Sequence, residues 1–123
     1  MKKLTNNQFI IQRFDIEFII THKNDNIHIS TKERGFSGYK IIEIIVKKDK
    51  NGNYVGHLEN ISKYEKYSGS DIMLMALQIL YRLHVKKCTF IDVSYFECSR
   101  NNFFKHCEIP LKIIKLLHLC TFE

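Results

Sequence analysis

The sequence has no tryptophan, a single proline at Pro110 and only five glycines among its 123 residues. A chain this poor in proline and glycine is neither collagen-like nor of low complexity. It also lacks the roughly 18 consecutive apolar residues that a membrane-spanning helix needs, because Gln78 and Arg82 interrupt its most apolar stretch. We therefore expect no membrane partner.

The N-terminal stretch MKKLTNNQFIIQRFD carries two lysines but no uninterrupted apolar core of the kind found in signal peptides. We therefore expect an intracellular, cytoplasmic protein. Four cysteines are interpreted as reduced thiols, since nothing in the sequence indicates an oxidising compartment. They are Cys88, Cys98, Cys107 and Cys120.

The residues that are abundant indicate one folded domain. With 45% hydrophobic, 12% aromatic and 26% charged residues, the chain can bury a core and is unlike a disordered protein. We expect a single domain over residues 1–123. Heavy use of lysine, asparagine and isoleucine is typical of AT-rich genomes, including those of giant DNA viruses, and suggests a viral protein of the host cytoplasm or the virion.

The formal net charge of +6 allows attraction to nucleic acid. The lysines, however, are scattered in pairs at residues 2–3, 47–48 and 86–87, with no single stripe. This distribution favours a solvated surface over a nucleic-acid-binding face.

Two β-hairpins are predicted in the first half of the chain. In the first hairpin, the apolar residues Phe14, Ile16, Phe18 and Ile20 alternate with mostly polar residues. The partner strand follows the turn KNDN. The second has strands over residues 39–48 and 54–61, joined by an Asn-Gly turn of the kind that favours hairpins.

A buried helix and a central strand follow. The stretch DIMLMALQILYRLH is apolar almost all round, with Ser68 or Ser70 as its N-cap and Asp71 in its first turn. We expect the helix to end near His84, which takes the left-handed position usually held by glycine. The strand starting at Cys88 is apolar on both faces, so we predict that it pairs in parallel with the strand starting at Tyr54.

The stretch IPLKIIKLLHL, with Pro110 near its start, predicts an amphipathic C-terminal helix. The predicted fold class is therefore α+β, with a mostly antiparallel sheet of two hairpins, then a helix, a parallel strand and a C-terminal helix.

Most residues with reactive side chains do not form a recognisable motif. The histidines and cysteines lack the paired spacing of a zinc site, so no metal is expected. No nucleophile motif surrounds Cys98 or Cys107. We interpret Asp92 as a polar residue at the tip of its strand, although a general base remains the alternative. The segment KYEKY interleaves aromatic and basic residues, a weak signal for single-stranded nucleic acid.

The start of the buried helix is a candidate phosphate site. The N–H groups of a first helical turn bind anions, and Lys63 and Lys66 lie close by in the sequence. A serine-capped start with one glycine is also the ordinary beginning of a structural helix.

The order of two hairpins, buried helix and parallel strand, with the sequence LHVKKCTFIDVS, resembles the GNAT family of N-acetyltransferases over residues 39–104. The resemblance implies acetyl-CoA as cofactor, with its pantetheine along the strand near Val55 and Leu58. It places the pyrophosphate on the backbone of Tyr67, Ser68, Gly69 and Ser70.

The chain departs from the family at two positions. The family's pyrophosphate loop usually carries a glycine followed two residues later by glycine or alanine, whereas this chain has only Gly69, between Ser68 and Ser70. Phe104 or Phe122 takes the place of a tyrosine that can act as general acid. We therefore expect a truncated or degenerate relative that binds an acyl-CoA with little or no transferase activity. The catalytic residues stay unassigned.

The alternative function is a non-enzymatic interaction or structural module. Such a module would form a homo-oligomer or bind a protein partner through an edge of the sheet. A basic nucleic-acid-binding module is the third interpretation.

Overall fold

The computed structural model describes residues 2–5, 7–33, 40–85, 87–92 and 120–122, with only the backbone described at 2–5, 92 and 120–122. These residues form one eight-stranded sheet and a single helix. The strands are β1 (Lys2–Thr5), β2 (Gln8–Arg13), β3 (Ile16–Lys23), β4 (Asn26–Ser30), β5 (Ile42–Lys48), β6 (Tyr54–Ile61), β7 (Cys88–Asp92) and β8 (Cys120–Phe122). The helix is α1 (Gly69–Arg82).

The strands lie side by side in chain order. Neighbouring strands are antiparallel from β1 to β6, whereas β6 with β7 and β7 with β8 are parallel. The structure therefore confirms an α+β fold with a mostly antiparallel sheet. It also confirms the parallel pairing of the strands that start at Tyr54 and Cys88.

Two N-terminal strands were not predicted from the sequence. β2 pairs with β3 as far as Arg13 opposite Ile16, so residues 14 and 15 form a two-residue turn. The assignment of Phe14 to the buried side of a strand was wrong, because Phe14 lies in this turn with φ of 55° and is 71% exposed. Polar residues at the end of β2 obscure its alternation and so hid the strand.

Both predicted hairpins are confirmed. β3 and β4 meet at a turn in which Asn24 has a positive φ of 56°, a conformation that asparagine tolerates. β5 and β6 are joined through Gly52, whose φ is 83°. The side chain of Asp49 accepts hydrogen bonds from the N–H groups of Asn51 and Asn53 and so fixes this turn.

α1 ends as the sequence predicts. His84 has φ of 66°, its N–H donates to the carbonyl of Tyr81, and the N–H of Val85 donates to the carbonyl of Leu80. These two hydrogen bonds define a Schellman motif, with histidine at the position usually held by glycine. Val85 is fully buried and directs the chain into β7.

One face of the sheet and α1 share a single core. Alternate residues of β3, β4 and β5 are buried on this face, and the register places them opposite one another. α1 is buried on most sides, as predicted from its apolar sequence. Its buried residues are Ile72, Met73, Met75, Ala76, Leu77, Ile79 and Leu80.

The predicted C-terminal helix lies outside the described residues. The structure does describe the strand β8, which the sequence did not predict and which pairs in parallel with β7. Within the described ranges, no helix has the length and apolar character that crossing a bilayer requires.

Candidate functional site

The residues predicted to bind a pyrophosphate form the start of α1. Ser68 is the N-cap, and its hydroxyl accepts a hydrogen bond from the N–H of Asp71 over 3.1 Å. The carboxylate of Asp71 in turn accepts from the N–H of Ser68 over 2.9 Å. This reciprocal pair is a capping box, and it engages two of the N–H groups that a helix start offers to an anion.

The capping box sets a condition on anion binding at this helix. The carboxylate of Asp71 already uses the partial positive charge of the helix start, and it would repel a phosphate placed there. A phosphate on the N–H groups near Gly69 therefore requires the side chain of Asp71 to rotate away. The short sequence pattern SGSD contains this competition, because Asp71 stands three residues after the cap.

The two predicted cofactor contacts on β6 have different surroundings. Val55 lies opposite Lys47 and Thr89 and is half-buried on the sheet face away from the core. Leu58 is fully buried in the core, opposite Ile44. A cofactor along β6 could therefore contact the side chain of Val55 but not that of Leu58, which is buried between Ile44 and Asp92 of the neighbouring strands.

β6 contains an irregularity close to these residues. Ile44 of β5 lies opposite Leu58, but the next residue, Glu43, lies opposite Asn60, so Glu59 is an extra residue in β6. Such a β-bulge reverses the alternation of side chains beyond it. Asn60 consequently lies on the same face of the sheet as Glu43, instead of entering the core.

The bulge completes a polar cluster that sequence reasoning did not find. The carboxylate of Glu43 accepts hydrogen bonds from Asn60 over 3.4 Å and from Lys40 over 3.2 Å, and it lies 2.8 Å from Nε2 of His28. We call these four residues the Glu43 cluster. Because they come from β4, β5, β6 and the segment before β5, no short sequence motif reports them.

The charges of the Glu43 cluster favour an ionised carboxylate. Partial burial alone would raise the pKa of Glu43, but hydrogen bonds from His28 and Lys40 and the charge of Lys40 outweigh it and lower the pKa below its ordinary value. A carboxylate held beside an imidazole can fix the orientation of the ring.

The turn between β2 and β3 contacts the loop before α1. The hydroxyl of Tyr67 donates to the carboxylate of Asp15 over 3.3 Å, and the rings of Phe14 and Tyr67 are 6.0 Å apart between centroids. The ammonium of Lys66 lies 3.9 Å from the same carboxylate and 5.4 Å from the centroid of the Tyr67 ring. We call these four residues the Phe14 cluster.

A cavity of about 310 Å³ lies at the same end of the sheet as the Phe14 cluster. Its lining mixes charged and polar groups with two isoleucines of the core. The lining residues are Gln12, Asp15, Ile16, Glu17, Thr31, Lys32 and Ile41. A polar ligand would fit this lining better than an apolar one, because few of its contacts would bury apolar surface.

Cys88 is a buried core residue. Burial raises the pKa of its thiol to about 12, so the thiol stays protonated at neutral pH and is a poor nucleophile. Cys98 and Cys107, the cysteines weighed for catalysis, lie outside the described residues, as does the side chain of Asp92. In the described part of the chain, no group of three or more histidine, cysteine, aspartate or glutamate side chains is arranged to hold a metal.

Comparisons with protein-family models, with curated proteins and with solved structures found no match to this chain.

Proposed function

We propose that the chain is a GNAT-like domain that binds an acyl-CoA and has little or no acetyltransferase activity. The observation that carries the proposal is the β-bulge at Glu59, near the end of the strand that leads into α1. β7 pairs with β6 from Tyr54 to Leu58, which is as far as the described residues of β7 extend.

This geometry supports the binding of an extended ligand. A bulge takes backbone N–H and C=O groups out of the regular pairing of a strand, and such groups can bond to another extended chain, as in peptide binding to a sheet edge. Pantetheine is extended and contains two amide groups, so it has the chemistry to pair with β6. β-Bulges are also over-represented next to active sites, since they interrupt regular pairing and redirect side chains.

The position of α1 supports a phosphate group at the end of the same ligand. The chain leaves β6 at Ile61 and begins α1 at Gly69, and the loop between them contacts the turn between β2 and β3 through the hydrogen bond from Tyr67 to Asp15. Helix starts bind phosphate through their N–H groups and partial charge. Lys63 and Lys66, both exposed, supply positive charge in the intervening loop.

The test is the thermal stability of the purified protein with and without millimolar acetyl-CoA, for the wild type, Gly69→Glu and Gln78→Glu. A ligand present at a hundredfold excess over its Kd stabilises the folded state by about 2.7 kcal/mol. We expect a shift in the wild type and in Gln78→Glu, which adds the same charge at an exposed site on the same helix. We expect no shift in Gly69→Glu.

A third variant tests the role of the capping box. Asp71→Asn keeps the size of the side chain but removes the charge that competes with phosphate, so we expect tighter binding of acetyl-CoA than in the wild type. If well-folded wild-type protein shows no shift with acetyl-CoA, the cofactor proposal is wrong.

A second candidate function is a protein-interaction module. β1 lies at one edge of the sheet, and among the described residues it pairs only with β2. An open edge can pair with a strand of another protein or of a second copy. Analytical ultracentrifugation over a range of concentrations tests this candidate. Self-association that Lys3→Pro abolishes would support it, since proline cannot donate to a strand pair.

A further inference from the structure

Phe14 is held in an unfavourable conformation at the surface. It is 71% exposed, and Tyr81 is the other large hydrophobic residue that is exposed in the described part of the chain. Its φ of 55° lies in the left-handed region, which is rare for bulky residues. Apolar exposure and backbone strain both cost stability, and such costs are common at sites of function.

The surroundings of Phe14 fix its position. Its ring contacts that of Tyr67 at an interplanar angle of 37°, and Tyr67 is itself only 9% exposed. The hydrogen bond from Tyr67 to Asp15 is a second contact between the turn that holds Phe14 and the loop before α1. Phe14 is therefore anchored on one side, while most of its surface faces solvent.

The Phe14 cluster lies beside the proposed phosphate-binding loop. Tyr67 directly precedes Ser68, the N-cap of α1, so the contact between Phe14 and Tyr67 places the exposed ring next to the helix start. Glu65, in the same loop, also has a positive φ, of 50°. The ammonium of Lys66 lies over the ring of Tyr67 and 3.9 Å from the carboxylate of Asp15.

We propose that Phe14 is a stacking platform for the nucleobase of the bound acyl-CoA. The inference rests on the proposed function, since it names the part of the same ligand that lies beyond the pyrophosphate. In coenzyme A the adenosine is attached to that pyrophosphate, so an aromatic ring beside the helix start meets the base. Every nucleobase has a π-face, and stacking on an exposed aromatic ring needs no further polar partner.

The test compares three ligands by isothermal titration calorimetry. Coenzyme A and adenosine 3′,5′-bisphosphate contain the nucleobase, whereas acetyl-pantetheine lacks it. For Phe14→Ala we expect affinity for the first two ligands to fall about tenfold, in line with base–aromatic stacking, and affinity for acetyl-pantetheine to stay unchanged. Tyr81→Ala, which removes an exposed aromatic ring elsewhere, should bind all three ligands as the wild type does.

A second variant separates binding from folding. Phe14→Gly removes the ring and also relieves the strain of the positive φ, so the folded protein should be at least as stable as the wild type. We nevertheless expect the same loss of nucleotide affinity. Phe14→Trp should keep or increase that affinity, because it preserves an aromatic face.

The outcomes distinguish this inference from the proposed function. If coenzyme A binds the wild type and Phe14→Ala equally well, the stacking role is wrong while the acyl-CoA-binding function stands. If the wild type binds none of the three ligands, both are wrong. Binding of single-stranded oligothymidylate that depends on Phe14, without binding of coenzyme A, would also overturn the inference and favour a nucleic-acid-binding module.

Discussion

The hydroxyl of Tyr67 donates a hydrogen bond to the carboxylate of Asp15 over 3.3 Å, across 52 residues of sequence. This contact joins the turn between β2 and β3 to the loop that leads into α1. Both the proposed phosphate site and the exposed ring of Phe14 depend on that junction. Its contribution can be measured directly.

Tyr67→Phe removes the hydroxyl and keeps the ring in contact with Phe14. We expect a loss of about 1 kcal/mol in the free energy of unfolding, since Asp15 is exposed enough to be rehydrated. Urea denaturation measures the loss, and hydrogen exchange should show faster opening of residues 62–68. Tyr81→Phe, which removes a hydroxyl from an exposed position, is the control. Equal stability of Tyr67→Phe and the wild type would mean that the hydrogen bond does not hold the loops together.

Gly56→Ala tests the packing between β6 and β7. A Cβ at residue 56 would lie 2.6 Å from Cε1 of Phe90, so the ring would have to move. We expect destabilisation of about 1–3 kcal/mol, the usual cost of overpacking. Phe90→Leu makes room, so Gly56→Ala should cost less in that background.

Gly52→Ala is the matched control for Gly56→Ala, measured with phenylalanine and with leucine at position 90. A Cβ at residue 52 meets nothing within 4 Å, and its cost comes from the positive φ of 83° alone. That cost should be the same with phenylalanine or leucine at position 90. If Phe90→Leu relieves both glycine variants equally, the clash with the ring is not the cause.

The Glu43 cluster predicts a dependence of stability on pH. Hydrogen bonds from His28 and Lys40 hold the pKa of Glu43 in the folded state below its ordinary value of 4.5, so its ionised form stabilises the fold above about pH 4.5. This contribution is lost as the pH falls through the lowered folded-state pKa, because both states are then protonated. Urea denaturation between pH 3 and pH 7 should show a smaller loss on acidification for Glu43→Gln than for the wild type.

Glu17→Gln provides the comparison for that measurement. Glu17 is a more exposed carboxylate of the same sheet, 3.8 Å from Lys32, and its replacement controls for the loss of one negative charge. If the stability of the wild type and that of Glu43→Gln change with pH in the same way, the ionised carboxylate of Glu43 does not stabilise the fold.

His84→Gly should stabilise the protein. His84 holds the left-handed position of the Schellman motif, where a residue with a Cβ is strained and glycine is not. We expect a gain of up to about 1 kcal/mol, reduced by the greater freedom of glycine in the unfolded chain. His84→Ala keeps the Cβ and should show no gain. A loss of stability in His84→Gly would mean that the imidazole itself makes a stabilising contact.

Local patterns in the sequence predicted much of the fold. The alternation in β3, the Asn-Gly turn and the serine cap of α1 are short-range signals, and each reports a preference of a few neighbouring residues. The helix end at His84 followed from the same kind of reasoning. β2 was not predicted because the polar residues at its end hide the alternation of a strand. Phe14 was assigned to a strand because the sequence does not show that β2 pairs with β3, and this pairing places Phe14 in the turn between them.

The candidate site is divided in the same way. The sequence alone indicated the helix start, because a serine cap followed by Asp71 is a local motif. The Glu43 cluster depends on the register of three strands and on one extra residue in β6, and the Phe14 cluster depends on a contact across 52 residues. Strand register and loop contacts are set by the burial of the whole core face. The sequence by itself therefore determined the elements of this protein, and only the tertiary structure decided which side chains meet.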